Sequence, residues 1–297
     1  MPLCEICPRG CRADRARRAG YCRSGDGLEI ASICRHRGEE PALSGRWGIC
    51  NVFFAHCNLR CAFCQNHQIS RNDAPVREMP LGEAVRRIVE TLDEGATHLG
   101  FVSPSHMIEQ MKRIVAGVRE AGRTPVVVMN TNAYDRPETI ASLEGIVDVY
   151  LPDFKYMDAA LAREWSDAPG YPDIALAALR EMHRQKGSNI AMREDGTAAS
   201  GLVIRHLILP GQVANSVAVL RAVAEELSTS VHLSLMSQYY PPEPVAGRPP
   251  LDRTVTMEEH DAVREEMERL GFHRGWIQEW GSAITYQPDF TRPHPFE

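Results

Sequence analysis

The chain has 297 residues, a formal charge of −6 and an isoelectric point near 6.0, which argues against a general nucleic-acid or membrane-surface binder. A chain of this length buries about 75% of its unfolded surface, so it needs neither a disulfide nor a metal merely to fold. Its 43% apolar and 24% charged content is ordinary for a soluble globule, and no apolar run approaches the ~18 residues of a membrane helix.

Residues 1–46 form a first region rich in Cys, Arg and Gly, where no long helix or strand is expected. All nine cysteines of the chain lie at or before Cys64. The start MPLCEICPRG has no apolar h-region and no small-residue cleavage site. A cytoplasmic chain with reduced thiols is therefore expected, and in that setting clustered cysteines more often bind metal than pair. Cys4, Cys7, Cys11 and Cys22 are spaced C-x2-C-x3-C-x10-C. Four thiolates can close a tetrahedral zinc site or hold an auxiliary [4Fe–4S] cluster, and the spacing leaves both open. Residues 1–25 carry six arginines against Glu5 and Asp14, a local charge of +4. Arg9, Arg12, Arg15 and Arg23 would offset the charge of a tetrathiolate site. Cys34 and Cys50 read as buried packing residues. The adjacent Glu39 and Glu40 read by default as a solvated pair.

From residue 47 strands and helices alternate. Short segments rich in β-branched residues stand at 51–56, 98–103, 125–130, 147–152, 202–209 and 231–236. Between them run apolar stripes near period 3.6: Val85, Ile88, Val89 and Leu92; then Ile108, Met111, Ile114, Val115 and Val118. Ala175, Ala178, Leu179 and Met182 make a third, and Leu220, Val223, Ala224 and Leu227 a fourth. Five successive strand–helix–strand crossovers predict an α/β fold with a parallel sheet. Residues 187–200 read as an exposed polar loop, and 241–250, with five prolines, as a stiff connection. A charged helix over roughly 256–270 stops at Gly271. The tail that follows carries Trp276, Trp280, Tyr286, Phe290 and Phe296; it is too aromatic to be solvated and is expected to pack on the body. The chain thus divides into a Cys-rich region at 1–46, a core at 47–245 and a C-terminal helix with tail at 246–297.

The first core strand runs directly into Cys57-Asn-Leu-Arg-Cys61-Ala-Phe-Cys64, a C-x3-C-x2-C spacing. Three thiolates on one tight loop can hold three irons of a [4Fe–4S] cluster and leave the fourth open for chemistry. A zinc knuckle with His56 or His67 as fourth ligand is the alternative on spacing alone. The loop sits at the carboxyl end of a strand, where α/β folds place ligands. The later strands also end in polar groups: Ser103 and His106, Asn130 and Asn132, Asp153 and Lys155, Arg205 and His206, Gln238 and Tyr239. Residues two apart in a strand share a face, so Asp153 pairs with Lys155 and Asn130 with Asn132. Arg205 and His206 face opposite ways. Arg205 suits the interior and a carboxylate, and His206 a hydrogen-bonded place under a helix. Ser103 or Ser105 with His106 would be a hydrolase pair, but no G-x-S-x-G elbow accompanies it. Walker A, H-E-x-x-H and G-x-G-x-x-G patterns are also missing.

The cysteine loop, with Phe63 before its last cysteine, resembles the cluster loop of the radical S-adenosylmethionine (SAM) superfamily. The segments HRGEEPALSG…GICNVFFAHCNLRCAFCQN (36–66), VSPSH (102–106), NTNAYD (130–135), DVYLPDFKY (148–156), VIRHLILPG (203–211) and SLMSQYYP (234–241) together resemble the family related to pyruvate formate-lyase activating enzymes. The resemblance implies an open, partial (β/α)6 TIM-like barrel beside a small Cys-rich metal-binding region. It implies a [4Fe–4S] cluster on Cys57, Cys61 and Cys64, with SAM chelating the open iron. Electron transfer then yields a 5′-deoxyadenosyl radical that abstracts hydrogen from substrate. On this reading Phe63, Ser103, Asn130, Asp153, Lys155 and Arg205 surround SAM, and the run DFK resembles a ribose-contacting D-x-K motif. A plain ion pair at a strand end is the other reading of Asp153 and Lys155. VSPSH stands where the superfamily carries a Gly-Gly-Glu-type segment, so Ser103, Ser105 and backbone carbonyls would take its place. The GEEP segment is implied to lie against the cluster-loop strand. An external electron donor of the flavodoxin or ferredoxin type is implied, and the substrate is either a partner protein or a small molecule. Nucleic-acid and membrane partners are not expected. The alternative from another class is a Cys-rich iron–sulfur or zinc-binding electron-transfer protein without SAM chemistry, which would have a closed four-ligand site.

Overall fold

The computed structural model describes residues 3–17, 20–284, 287–292 and 294–296. Tyr286 of the aromatic tail lies outside these. Strands β1 (Ile30–His36), β2 (Ile49–Phe54), β3 (His98–Val102), β4 (Val126–Thr131), β5 (Val149–Pro152), β6 (Ala191–Met192), β7 (Ala198–Leu207), β8 (His232–Met236) and β9 (Gly275–Ile277) form one sheet. The order is β1-β2-β3-β4-β5-β7-β8-β9, with β6 paired to the start of β7. β1 is antiparallel to β2, and β2 to β9 along this path are parallel. The path has two ends, β1 and β9, so the curved sheet is a partial barrel rather than a closed one.

The helices are α1 (Pro41–Ser44), α2 (His67–Ser70), α3 (Leu81–Asp93), α4 (Ile108–Glu120), α5 (Pro137–Ala141), α6 (Ala159–Ser166), α7 (Tyr171–Lys186), α8 (Val213–Glu226) and α9 (Met257–Arg269). The six strands expected from the sequence are β2, β3, β4, β5, β7 and β8, with ends shifted by no more than four residues. Their crossovers run through α3, α4, α5, the α6–α7 pair and α8. Two ends are set locally. Asp158 accepts the N–H groups of Ala160 and Leu161 to start α6, and Thr256 with Glu259 forms a capping box on α9.

Three strands escape the sequence pattern. β1 lies in the region where no long strand is expected; it is an edge strand antiparallel to β2, the next strand in sequence, and its burial does not alternate with a period of two. β6 makes a short hairpin with β7 inside the predicted 187–200 loop, whose tip is exposed. β9 is three residues long, too short to carry a period. Among the described residues no helix is long and apolar enough to cross a membrane.

The pleat sorts side chains into two cores. Val127, Met129, Leu202 and Ile204 face the helices. Val126, Val128, Val149, Leu151 and Val203 face inward and meet Ile49 with Ala42 and Leu43 of α1. Ile49, Val126 and Val149 open their strands, so α1 plugs the amino end of the barrel. Above this apolar plug the interior turns polar. Asn51 points across β3, where Gly100 leaves room: a Cβ there would lie 2.0 Å from Asn51 Oδ1. Asn51 Nδ2 in turn donates to Glu39 Oε1 at 2.9 Å.

Candidate active site

The cysteine loop leaves β2 through Ala55 and His56 and crosses the carboxyl end of the barrel. Several chain segments hold it. The N–H of Arg60 donates to Ser166 O and that of Ala62 to Trp165 O, both at the end of α6. Asn58 Nδ2 donates to Tyr134 O at 2.8 Å, and Asn58 Oδ1 accepts Asn132 Nδ2 at 2.8 Å. Each of the three sulfurs faces a side-chain donor from a different element. Asn132 Nδ2, beyond β4, lies 3.5 Å from Cys57 Sγ. Ser166 Oγ of α6 donates to Cys61 Sγ at 3.1 Å, and Ser70 Oγ of α2 to Cys64 Sγ at 3.2 Å. The Leu59 N–H adds a bond to Cys57 Sγ at 3.4 Å. Hydrogen bonds to cluster sulfurs are one of the means by which a protein sets a cluster's potential.

Burial pushes the thiol of Cys57 up to about 12 and that of Cys61 up to about 11, and raises Cys64 as well. The three sulfurs also repel one another as thiolates, while Lys155 opposes the shift at all three. Such thiols hold their protons until a metal takes the protons' place. Among the described residues no three Cys, His, Asp or Glu side chains stand close enough to hold a metal ion as placed. The fit to an iron–sulfur cluster therefore rests on the donor set: three thiols on one loop, Cys57 buried and Cys61 and Cys64 half-buried, each with its own hydrogen-bond donor.

Beneath the loop lies a cavity of about 600 Å³ running down the barrel. Cys57, Cys61, Phe63 and Cys64 line its upper end. Ser103, Asn130, Asp153, Lys155 and Arg205 line its wall, as do Asn132 and Gln238. Phe63 is buried edge-on to Tyr156 with ring centres 6.4 Å apart. Ser103 follows β3 in a left-handed backbone conformation, φ +49°, with its N–H on Asn130 O at 2.7 Å. That conformation costs a non-glycine residue roughly 1–2 kcal/mol and turns the chain sharply at the cavity rim. Lys155 Nζ donates to Asp153 Oδ2 at 2.6 Å. Burial alone would lower the Lys155 ammonium, but Asp153 and the facing thiols hold it above its ordinary range. Asp153 Oδ1 is buried with no partner among the described residues. Tyr171 of α7 sets the position of this pair: its hydroxyl accepts the Lys155 N–H and shares its proton between the carbonyls of Asp153 and Asn132.

The strand-end groups do not all converge. His106 turns away to Ala55 O and Ser105 to Thr131 Oγ1, so neither forms a serine–histidine pair with the other. Tyr239 donates to Leu251 O. His206 lies under α8 between Phe154 O and Ser216 Oγ, both at 2.8 Å, as its strand parity requires. Arg205 faces the cavity but is not a free carboxylate receptor. Its Nε and Nη2 clasp Glu40 at 2.8 and 2.7 Å, and Nη2 also pairs with Glu39. Glu39 and Glu40 are therefore not a solvated pair. Their side chains are 7% and 5% exposed and form the cavity floor just above the α1 plug. Burial opposes ionisation of Glu39, yet the Arg205 guanidinium keeps its carboxyl below the usual range. Asn132, Ser70, Ser166 and Tyr171 escape the sequence reading as supports of the site. Each acts through a contact with another element, and only the face-sharing of Asn132 with Asn130 marks one of them.

The other cysteines separate cleanly. Cys34 and Cys50 are buried, Cys50 in the helix-facing core with its thiol pushed up to about 12 by burial. The segment that carries Cys4, Cys7, Cys11 and Cys22 is remote from the loop in sequence but meets it in space, where Arg9 Nε donates to Asn58 O at 2.8 Å.

The buried imidazoles make a pH prediction. Burial pushes both His106 and His206 down to about 4, whereas an unfolded His titrates near 6.5. The unfolded chain then binds more protons between those values, so the stability each contributes is complete above about pH 6.5 and lost as pH falls toward 4. Equilibrium denaturation should show His206→Gln flattening that acid limb by about 3 kcal/mol; an unchanged limb would remove His206 from the account.

The Radical SAM superfamily matches residues 51–217, from within β2 through all three loop cysteines and the strands to β7. An uncharacterized protein of Methanocaldococcus jannaschii is 25% identical over 275 residues, covering 90% of this chain and 74% of its own. Among solved structures, HydG, a maturase of the [FeFe]-hydrogenase, is similar with a TM-score of 0.54 at 13% identity, over 76% of this chain and 50% of its own. SuiB of Streptococcus suis bound to S-adenosylmethionine follows at 0.52 and 11%, over 77% and 50%. HemN, the coproporphyrinogen III oxidase of Escherichia coli, gives 0.50 and 14%, over 74% and 51%. At these identities the likeness is one of fold, and this chain spans about half the length of the solved structures it matches.

Proposed function

The chain belongs to the radical SAM superfamily, and from that premise we propose that Cys57, Cys61 and Cys64 hold its [4Fe–4S] cluster and that the cavity beneath holds SAM. The observation that carries this reading is the coupled thiol loop standing over a polar cavity at the carboxyl end of the barrel. When bound, the cluster and SAM would supply an electron and a 5′-deoxyadenosyl radical for hydrogen abstraction. The chain's own residues bind and orient. Asp153 has an unpartnered buried oxygen to accept from ribose hydroxyls, and Lys155 fixes the other oxygen by a 2.6 Å hydrogen bond beside the thiols. Phe63, Ser103 and Asn130 shape the cavity around the nucleoside. Arg205 is already paired, so its part here is to hold Glu39 and Glu40 as a charged floor rather than to take SAM's carboxylate directly.

The role proposed for the reaction is that of an activating enzyme, with a partner protein as substrate and a flavodoxin- or ferredoxin-type donor in the cytoplasm. It rests on the resemblance of the motifs between residues 36 and 241 to the activating-enzyme-related family. A small-molecule substrate is the competing possibility. A second metal, zinc or an auxiliary cluster, is proposed for the amino-terminal cysteines on their C-x2-C-x3-C-x10-C spacing. The test of the shared chemistry is direct. Anaerobically reconstituted, reduced protein should convert SAM to methionine and 5′-deoxyadenosine, and its EPR signal should shift on adding SAM. Iron and sulfide without either response would leave an electron-transfer protein without SAM chemistry.

A further inference from the structure

We infer that the floor of the cavity is the subsite for a primary ammonium group, carried by a free alkylamine or by a lysine side chain of a polypeptide. The inference rests on SAM lying under the cysteine loop, and it names the chemistry of the substrate that shares the cavity with it.

The charges at the floor do not balance. Glu39 and Glu40 share one guanidinium, that of Arg205, and no second cation meets either carboxylate among the described residues. Asp153, farther up the wall, is matched by Lys155. Arg37 also borders the cavity but is exposed to solvent. One buried carboxylate charge is therefore left over, and a buried charge is costly unless it is paired. Hydrogen bonding leaves the same remainder. A carboxylate offers about four lone-pair sites, so the two offer about eight. Asn51 fills one and Arg205 three, which leaves about half of them open. A primary ammonium brings one positive charge, three donors and no acceptor, and so answers both remainders. A hydroxyl supplies no charge, and a quaternary ammonium no donor.

His36 points to a ligand independently of these carboxylates. It ends β1 opposite Ile49, borders the cavity and is 9% exposed, yet its Nδ1 has no hydrogen-bond partner among the described residues. Burial pushes the imidazole below its ordinary range, so the ring is neutral and has one nitrogen to accept a donor. Aromatic rings border the same space. Phe296 meets His36 with ring centres 4.2 Å apart. Trp276 pairs with Ser234 across β9 and β8, and Ser234 with Arg205 across β8 and β7. Trp276 therefore stands at the level of Arg205, and it packs on the inward-facing core. The faces of such rings attract cations. The floor is also separate from the place under the loop. β2 runs from Ile49, beside His36, to Phe54, just before the loop, and at about 3.3 Å per residue it rises roughly 16 Å between them.

The test is titration calorimetry on the full, reconstituted chain. The probes are n-pentylammonium, its neutral counterpart 1-pentanol, and a lysine capped as N-acetyl-lysine methylamide, each with and without saturating SAM. Pentylammonium should bind roughly 10-fold more tightly than pentanol, the difference expected of hydrogen bonds to a charged group, and SAM should not displace it. Glu39→Gln removes the unmatched charge and leaves Glu40 on Arg205. It should weaken pentylammonium binding roughly 10-fold and leave pentanol unchanged. Trp276→Leu keeps every charge and should weaken pentylammonium roughly 3-fold. Capped lysine bound as tightly as pentylammonium assigns the ammonium to a polypeptide, and the free amine bound alone assigns it to a small molecule. Equal affinity for pentylammonium and pentanol, displacement by SAM, or unchanged binding in Glu39→Gln would overturn the subsite. Should Glu39→Gln fail to fold, the preference for ammonium over alcohol in the native chain decides. SAM cleavage enters none of these readouts, and a chain that takes pentylammonium but no SAM would fail the radical SAM reading alone.

Discussion

Replacing Cys61 with alanine should reduce 5′-deoxyadenosine formation to the level of a protein-free control. Cys61 sits at the centre of the C-x3-C-x2-C loop, and its half-buried sulfur accepts a hydrogen bond from Ser166 Oγ, which contacts Tyr156 OH at 2.7 Å. Two remaining thiols cannot hold three irons of a cluster, so iron content and SAM cleavage should fall together. Ser166→Ala separates ligation from its support. It keeps the thiolate but removes its hydrogen bond, so the cluster should remain, with a more negative potential and activity lowered by about 10-fold. Iron analysis, redox titration and quantified 5′-deoxyadenosine read both variants. Full SAM cleavage by Cys61→Ala would sink the assignment of this loop.

The second large effect is expected at the cavity floor. Glu40 meets Arg205 through two bonds at 2.8 and 2.7 Å, with both side chains largely buried. Arg205 serves Glu39 as well, so truncating the arginine leaves two carboxylates buried without their counter-charge, at a cost of about 3–5 kcal/mol. Arg205→Ala should therefore lower the unfolding free energy, read by equilibrium denaturation, by that amount. Glu90→Ala, which breaks the exposed pair of Arg86 and Glu90, should cost at most about 1 kcal/mol. An Arg205→Ala loss as small as that of Glu90→Ala would show that the floor pair is screened by solvent.

Much of this architecture is legible from local pattern. The runs at 125–130 and 231–236 alternate faces within a few residues, and β4 and β8 follow them closely. Strand parity puts Arg205 and His206 on opposite faces, and the structure turns Arg205 toward the cavity and His206 under α8. The loop cysteines are visible because a ligand set on one turn must be close in sequence. By contrast, β1 carries no alternating pattern and β9 is only three residues long, so the pairing of these edge strands is decided by the neighbour each meets.

Periodicity and spacing are short-range signals, since each reflects the repeat of one element and the reach of a few bonds. They suffice for the α/β fold, the polar strand ends and the two cysteine groups. The partners of those groups come from remote segments. Arg205 meets Glu39 and Glu40 across 166 and 165 positions; Ser166 reaches Cys61 across 105, and Arg9 reaches Asn58 across 49. No pattern along the chain records such contacts, because they exist only once the barrel has brought its strand ends and α1 around one interior. That closure turns Arg205 from a candidate ligand clamp into the anchor of two buried carboxylates, and it sets Arg9 of the amino-terminal segment against the cysteine loop.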